Sequence, residues 1–245
     1  ILVYGDTNST LAGALAASKI AIPVIHIEAG LRSFQKEMPE EINRILCDHV
    51  STLLFCPTQQ AIDNLEKEGF ANKKERATIN HPKYFHCGDI MLDNSLYFSS
   101  LSDEKSTLLN QYNLKSNDFI LSTIHRDSNT DIPENLLAIF KAFQRIQENS
   151  DKTIVLPLHP RTKKIIEEIA TNEIVKKVMR NPKILIIPPA GFLDIIALEK
   201  HSSLIITDSG GLQKEAFFFK KPCIILREQT EWVEIVKNGN AVLTG

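Results

Sequence analysis

Short runs of β-branched and aliphatic residues recur along this chain, and between them lie longer segments in which apolar residues return every three or four positions. The short runs predict strands over 1–4, 23–26, 52–56, 84–87, 119–123, 153–157, 184–187, 204–207 and 223–226. The longer segments predict helices over 11–18, 40–50, 59–67, 90–99, 133–147, 163–170, 193–200 and 212–220. Strands that alternate with helices mark repeated βα units, so the expected fold class is α/β with parallel sheets. The longest polar interval, 100–118, is broken only by a short leucine-containing piece and is the expected boundary between two domains, 1–100 and 101–245. The chain starts without methionine in Ile1-Leu2-Val3-Tyr4 and stops as the strand-like run 240–245 ends, so both ends are expected to be cut points in a longer protein.

Composition narrows the function. The chain has 245 residues, 43% of them hydrophobic, which is enough for a sizeable core. With 28 Lys+Arg against 30 Asp+Glu the net charge is −2, which argues against a nucleic-acid or membrane-surface partner. Cys47, Cys56, Cys87 and Cys223 form no Cys-x-x-Cys pair, so no zinc ribbon, redox motif or other metal site is expected, and a reduced, cytoplasmic location fits. No apolar run approaches the roughly 18 residues of a membrane span.

In parallel sheets ligands bind beyond the carboxyl ends of the strands, so the residues just after each strand are the ones to inspect. Asp6, in Gly5-Asp6-Thr7 after the first strand, reads either as a turn or helix-capping residue or as a group facing a ligand. Glu28, in His26-Ile27-Glu28-Ala29-Gly30-Leu31-Arg32, ends an apolar run and reads either as a buried partner of Arg32 or as a ligand group. In Pro39-Glu40-Glu41-Ile42-Asn43-Arg44 the proline and paired carboxylates suit a helix start, and Glu40 and Arg44 share a face at i, i+4, where a surface ion pair is the plain alternative.

The fourth segment is Asp208-Ser209-Gly210-Gly211-Leu212-Gln213-Lys214-Glu215, which opens a helix directly after a strand. Ser209, Gly210 and Gly211 let a phosphate approach the N–H groups of the first helical turn, and Glu215, one turn on, suits a ribose diol. His125 and Arg126 follow another strand, where the pair can meet phosphate charge, whereas His159 reads as structural. None of the ten glycines forms Gly-x-Gly, and no Walker-type loop is present, so neither a dinucleotide nor an ATP mechanism is expected and no cofactor is assigned.

These residues, in this order, make the chain similar to the non-hydrolysing UDP-N-acetylglucosamine 2-epimerases, which share the GT-B fold with many glycosyltransferases. The similarity rests on Gly5-Asp6-Thr7, His26–Arg32, Pro39–Arg44, His125-Arg126 and Thr207–Glu215. It implies two Rossmann-like parallel-sheet domains, the N-terminal one incomplete because the family's glycine-rich first strand and loop have no counterpart here, with the active site in the cleft between them. It implies Asp6, Glu28, Glu40 and His125 as catalytic groups, and Arg44, Arg126, Ser209, Gly210, Gly211 and Glu215 as groups that bind a UDP-sugar. It also implies a homodimer and a reaction that eliminates and re-adds UDP while the proton at C2 is exchanged. Thr230-Glu231-Trp232-Val233-Glu234, Leu31–Phe34 and Met38–Asn43 resemble the branch acting on UDP-2,3-diacetamido-glucuronic acid. A GT-B glycosyltransferase and a non-catalytic UDP-sugar sensor are the competing readings, and neither has reason to keep Asp6, Glu28 and Glu40 together.

Overall fold

The computed structural model describes residues 1–245, which divide into the compact units Ile1–Met91 and Leu92–Gly245. The first unit holds β1 (Leu2–Tyr4), α1 (Asn8–Lys19), β2 (Ile25–Ile27), α2 (Pro39–Val50), β3 (Leu53–Cys56), α3 (Gln59–Lys67) and β4 (Lys83–His86). Its four strands form one parallel sheet in the order β1-β2-β3-β4. Small residues set how closely α1 lies on that sheet: Ala14 and Ala17 are buried with Val3, Val24 and Cys47. The start of α1 is capped by Thr7, whose hydroxyl accepts from Thr10 N at 3.2 Å.

α4 (Ile90–Lys105) leads into the second unit, followed by α5 (Leu108–Gln111), β5 (Phe119–Thr123), α6 (Asp127–Thr130), α7 (Pro133–Asn149), β6 (Thr153–Pro157), α8 (Pro160–Glu168), α9 (Glu173–Arg180), β7 (Ile184–Ile187), α10 (Phe192–His201), β8 (Leu204–Thr207), α11 (Gly210–Phe218), β9 (Cys223–Ile225), α12 (Val233–Lys237) and β10 (Ala241–Leu243). All six strands are parallel, in the order β10-β9-β8-β5-β6-β7. Counted from β5, that is the doubly wound order 3-2-1-4-5-6, whose direction reverses between β5 and β8. Ile120, Ile154, Leu156 and Ile206 of the sheet pack against Leu136, Phe140, Phe143, Val175 and Val178 to make the core.

The strand pattern agrees with the sequence to within a residue or two, because inward β-branched runs are a local signal. Some helices depart from it. α9 is absent from the sequence expectation: it is short and carries adjacent β-branched residues, yet Asn172 caps it and Val175 and Val178 are fully buried. α8 starts earlier than expected because Pro160 occupies its first turn and His159 Nδ1 accepts from Arg161 N. No helix is long and apolar enough to cross a membrane, and all four cysteines are free thiols.

Candidate active site

In the first unit the residues beyond β1, β2 and the start of α2 lock together through α2. Thr7 takes the capping role at α1, which leaves the Asp6 carboxylate for Arg44, whose Nη1 lies 2.6 Å from Asp6 Oδ2. Asn43 Nδ2 donates to the Asp6 carbonyl at 2.8 Å and to Asn8 Oδ1 at 3.0 Å. The other edge of the Arg44 guanidinium meets Glu41 Oε2 at 2.8 Å and Ser33 Oγ at 3.2 Å. Burial alone would raise the Glu41 pKa, but the N–H groups of Ser33 and Phe34, at 2.9 Å each, and Arg44 hold it below the usual carboxylate range. Arg44 is only 2% exposed, so the surface ion pair that i, i+4 spacing offers is not what forms. Glu40 sits one turn earlier than Arg44 on α2 and is partly exposed.

Glu28 lies against the same turn. Its φ is +71°, in the left-handed region that costs a non-glycine residue about 1–3 kcal/mol. The Glu28 and Ala29 N–H groups both donate to Phe55 O at 3.0 Å, which holds this conformation. The carboxylate is thereby carried over Gly5, where an added Cβ would stand 3.4 Å from Glu28 Oε2. Burial first, then the charges of Glu28, Asp89 and Asp6, push the Tyr4 phenol far above its ordinary value. Asp89, which follows β4, adds its charge to that effect, and the sequence did not single it out.

Arg32 has other business than Glu28. It donates to Asp48 Oδ2 at 2.7 Å and grips Glu68 with Nε and Nη2 at 2.7 and 2.8 Å. The fully buried His26 ring has an acceptor on each side, Asp48 Oδ1 at 2.7 Å and the Gly5 carbonyl at 2.9 Å. Both nitrogens must donate, so the ring is an imidazolium paired with the Asp48 carboxylate. Burial would lower the His26 pKa, but Asp48 and the Gly5 carbonyl outweigh it and the pKa is raised. This buried cation ties the carbonyl next to Asp6 to the interior.

In the second unit β5 and β8 pair with Thr123 beside Thr207, their hydroxyls 2.6 Å apart. That register sets His125-Arg126 next to Asp208–Gly211 at the reversal point of the sheet. The fully buried Asp208 carboxylate receives the His125 and Arg126 N–H groups at 3.0 Å each and Asn129 Nδ2 at 3.1 Å. It also meets His125 Nδ1 at 3.0 Å, where the ring nitrogen donates to the carboxylate. Burial works against the Asp208 charge, but His125 and the N–H donors lower its pKa. Ser209 caps α11 through Leu212 N, and the N–H groups of Gly210 and Gly211 fall in the first turn, where a helix offers no internal acceptor.

Sequence reading missed two partners of this turn. Glu231 stands so close to Gly210 that an added Cβ would run into its Oε1, and Arg227 Nη2 holds Glu231 Oε2 at 2.9 Å. Lys214 Nζ lies 4.1 Å over the Trp232 ring, so 227–232 packs along the first turns of α11. A mostly apolar slot beside the turn is lined by Ile124, His125, Pro157, Pro189, Ile195 and Leu212. His159 lines it too, besides capping α8. No group of three or more His, Cys, Asp or Glu side chains is arranged to hold a metal ion.

Asp208 and Glu41 also lay outside the sequence-assigned site. The signal for Glu41 was present: Glu41, Arg44 and Asp48 fall at i, i+3, i+7 on the stripe of α2 that Cys47 marks as buried.

Against known proteins, the sequence model for UDP-N-acetylglucosamine 2-epimerase matches residues 1–245. The chain is 51% identical over its whole length to the UDP-2,3-diacetamido-2,3-dideoxy-D-glucuronate 2-epimerase of Pseudomonas aeruginosa and 43% identical to the UDP-N-acetylglucosamine 2-epimerase of Methanocaldococcus jannaschii. It spans 63% and 64% of the lengths of those relatives. The crystal structure of the latter enzyme in complex with UDP-GlcNAc and UDP superposes on all of the chain, and 64% of its own, with a TM-score of 0.86. A trehalose-phosphate synthase from Burkholderia xenovorans, at 13% identity and a TM-score of 0.56, shares the fold alone.

Proposed function

The chain belongs to the UDP-N-acetylglucosamine 2-epimerase family and has its GT-B fold, and from that premise we propose that the protein inverts C2 of a UDP-linked 2-acetamido sugar by eliminating and re-adding UDP. The observation that carries this reading is the β5–β8 register, which puts the His125–Asp208 pair and the Ser209–Gly211 turn on one sheet edge. The turn and Arg126 suit the diphosphate, the slot between Pro157 and Pro189 suits a planar base, and Glu215 suits the ribose.

The carboxylates of the first unit supply proton transfer. One of Asp6, Glu28 and Glu40 takes the C2 proton, the C2–H electrons form the C1–C2 double bond, and the C1–O bond breaks with its electrons leaving on UDP. A carboxyl on the opposite face then returns a proton to C2, and a diphosphate oxygen re-forms the bond to C1. Inversion needs acid–base groups on both faces of the ring, which one carboxylate alone does not provide. His125, Arg126 and the α11 N–H groups offset the charge gathering on departing UDP.

The substrate read first is UDP-N-acetylglucosamine, in exchange with its manno epimer. UDP-2,3-diacetamido-glucuronic acid is the second reading, favoured by the 51% identity to the Pseudomonas enzyme and by Thr230-Glu231-Trp232. The test is turnover of each sugar by the full-length protein in heavy water, followed by NMR. Deuterium at C2 of both epimers without added NAD is expected. An unlabelled C2, or a requirement for NAD, overturns the elimination route.

A further inference from the structure

α10 carries a carboxylate that this reaction does not use. Glu199 is 0% exposed, on the helix that packs beside α11. Neither of its oxygens receives an N–H or O–H from the chain, which is a costly arrangement for a buried charge. The group within hydrogen-bonding reach is the Glu215 carboxyl on α11. Two ionised carboxylates are acceptors only and repel, so this contact becomes a hydrogen bond when one of them holds a proton. Burial falls hardest on Glu199, while Glu215 is partly exposed one turn beyond the glycine turn. Burial, then the charge of Glu215, pushes the Glu199 pKa well above the carboxylate range.

We propose that Glu199 is a positioning residue for nucleotide recognition: it stands neutral in the interior, donates its O–H to one oxygen of Glu215, and leaves the charge of Glu215 directed at the ribose diol. The inference rests on the reading that Glu215 holds the ribose. A neutral donor suits this place, because it orients the carboxylate without adding a second negative charge near the diphosphate. Glutamine keeps a donor at the same reach, and leucine keeps the volume but has none.

The test is calorimetry of UDP and of 2′,3′-dideoxy-UDP with the full-length protein and three variants. Wild type should prefer UDP by roughly 10–100-fold, the range of hydrogen bonds to a charged group. Glu199→Leu should weaken UDP by about 5–30-fold while moving dideoxy-UDP by less than about 2-fold, and Glu199→Gln should restore the preference. Equal weakening of both ligands in Glu199→Leu, or no weakening of either, overturns the proposal. If Glu199→Leu fails to fold, the infrared difference between wild type and Glu199→Gln decides: loss of an un-ionised carboxyl C=O stretch at neutral pH is expected, and its absence refutes the neutral donor. Glu215→Gln separates the premise from the inference, since an unchanged preference for UDP there removes the ribose assignment itself.

Discussion

Arg44 Nη1 lies 2.6 Å from Asp6 Oδ2, and the same guanidinium reaches Glu41 with Nη2 at 2.8 Å. One buried cation thus spans the carboxylate beyond β1 and the carboxylate that organises the loop before α2. Arg44→Met should cost about 3–5 kcal/mol, because Glu41 is left as an uncompensated buried charge. Urea denaturation measures it, and a loss below about 1 kcal/mol would show that Glu41 finds another partner.

Asp6→Asn tests the chemistry assigned to that carboxylate. The amide keeps the shape and can neither take nor return a proton, so turnover of the full-length protein should fall by roughly 10²–10⁴. UDP affinity should hardly change, and a loss of UDP binding equal to the loss of turnover would reassign Asp6 to substrate binding.

Glu215→Ala addresses the ribose contact alone. It should weaken UDP by about 1.5–3 kcal/mol, the scale of hydrogen bonds to a charged acceptor. Calorimetry giving wild-type affinity would remove Glu215 from the nucleotide site.

Gly30 has φ +80°, and a Cβ there would stand 2.5 Å from the Ala61 carbonyl oxygen, a backbone atom that cannot swing aside. Gly30→Ala adds a left-handed penalty to this overlap, so about 2–5 kcal/mol of stability should be lost. A variant as stable as wild type would mean that α3 can shift away from the strand end.

His26 predicts a pH dependence. Its folded pKa is raised above the ordinary value of about 6.5, so its contribution to stability is complete below about 6.5 and is lost as pH rises through the raised value. Asp48 has the opposite sign: its pKa is lowered in the folded state, so its contribution is present above about 3.9 and lost as pH falls through the depressed value. Denaturation midpoints of wild type should therefore decline on the alkaline side of neutrality. His26→Gln should be less stable throughout and should lose that slope, and an equally steep slope in the variant would place the titration elsewhere.

Much of this site was legible before any folding was considered. Strand ends are local signals, so Asp6, Glu28, His125 and the Ser209–Gly211 turn were found at the positions immediately after apolar runs. The helix start at Pro39 and the turn opening α11 were equally plain, because proline at a first turn and paired glycines act through their own backbone. By itself the sequence determined the α/β class, the strand-end positions of these groups and the absence of a Gly-x-Gly fingerprint.

Beyond the i, i+3 pair Glu41–Arg44, partner choice was decided only by tertiary structure. Spacing offered Arg44 to Glu40 and Arg32 to Glu28, yet Arg44 turned to Asp6 and Glu41, and Arg32 turned to Asp48 and Glu68. A buried guanidinium takes whichever carboxylates the packing brings to it, and those stand 38, 3, 16 and 36 residues away. The strand order had the same character: β5 lies beside β8, across 84 residues of chain at Thr123–Thr207. His125 met Asp208, 83 residues on, by the same long-range packing, which no window along the sequence contains.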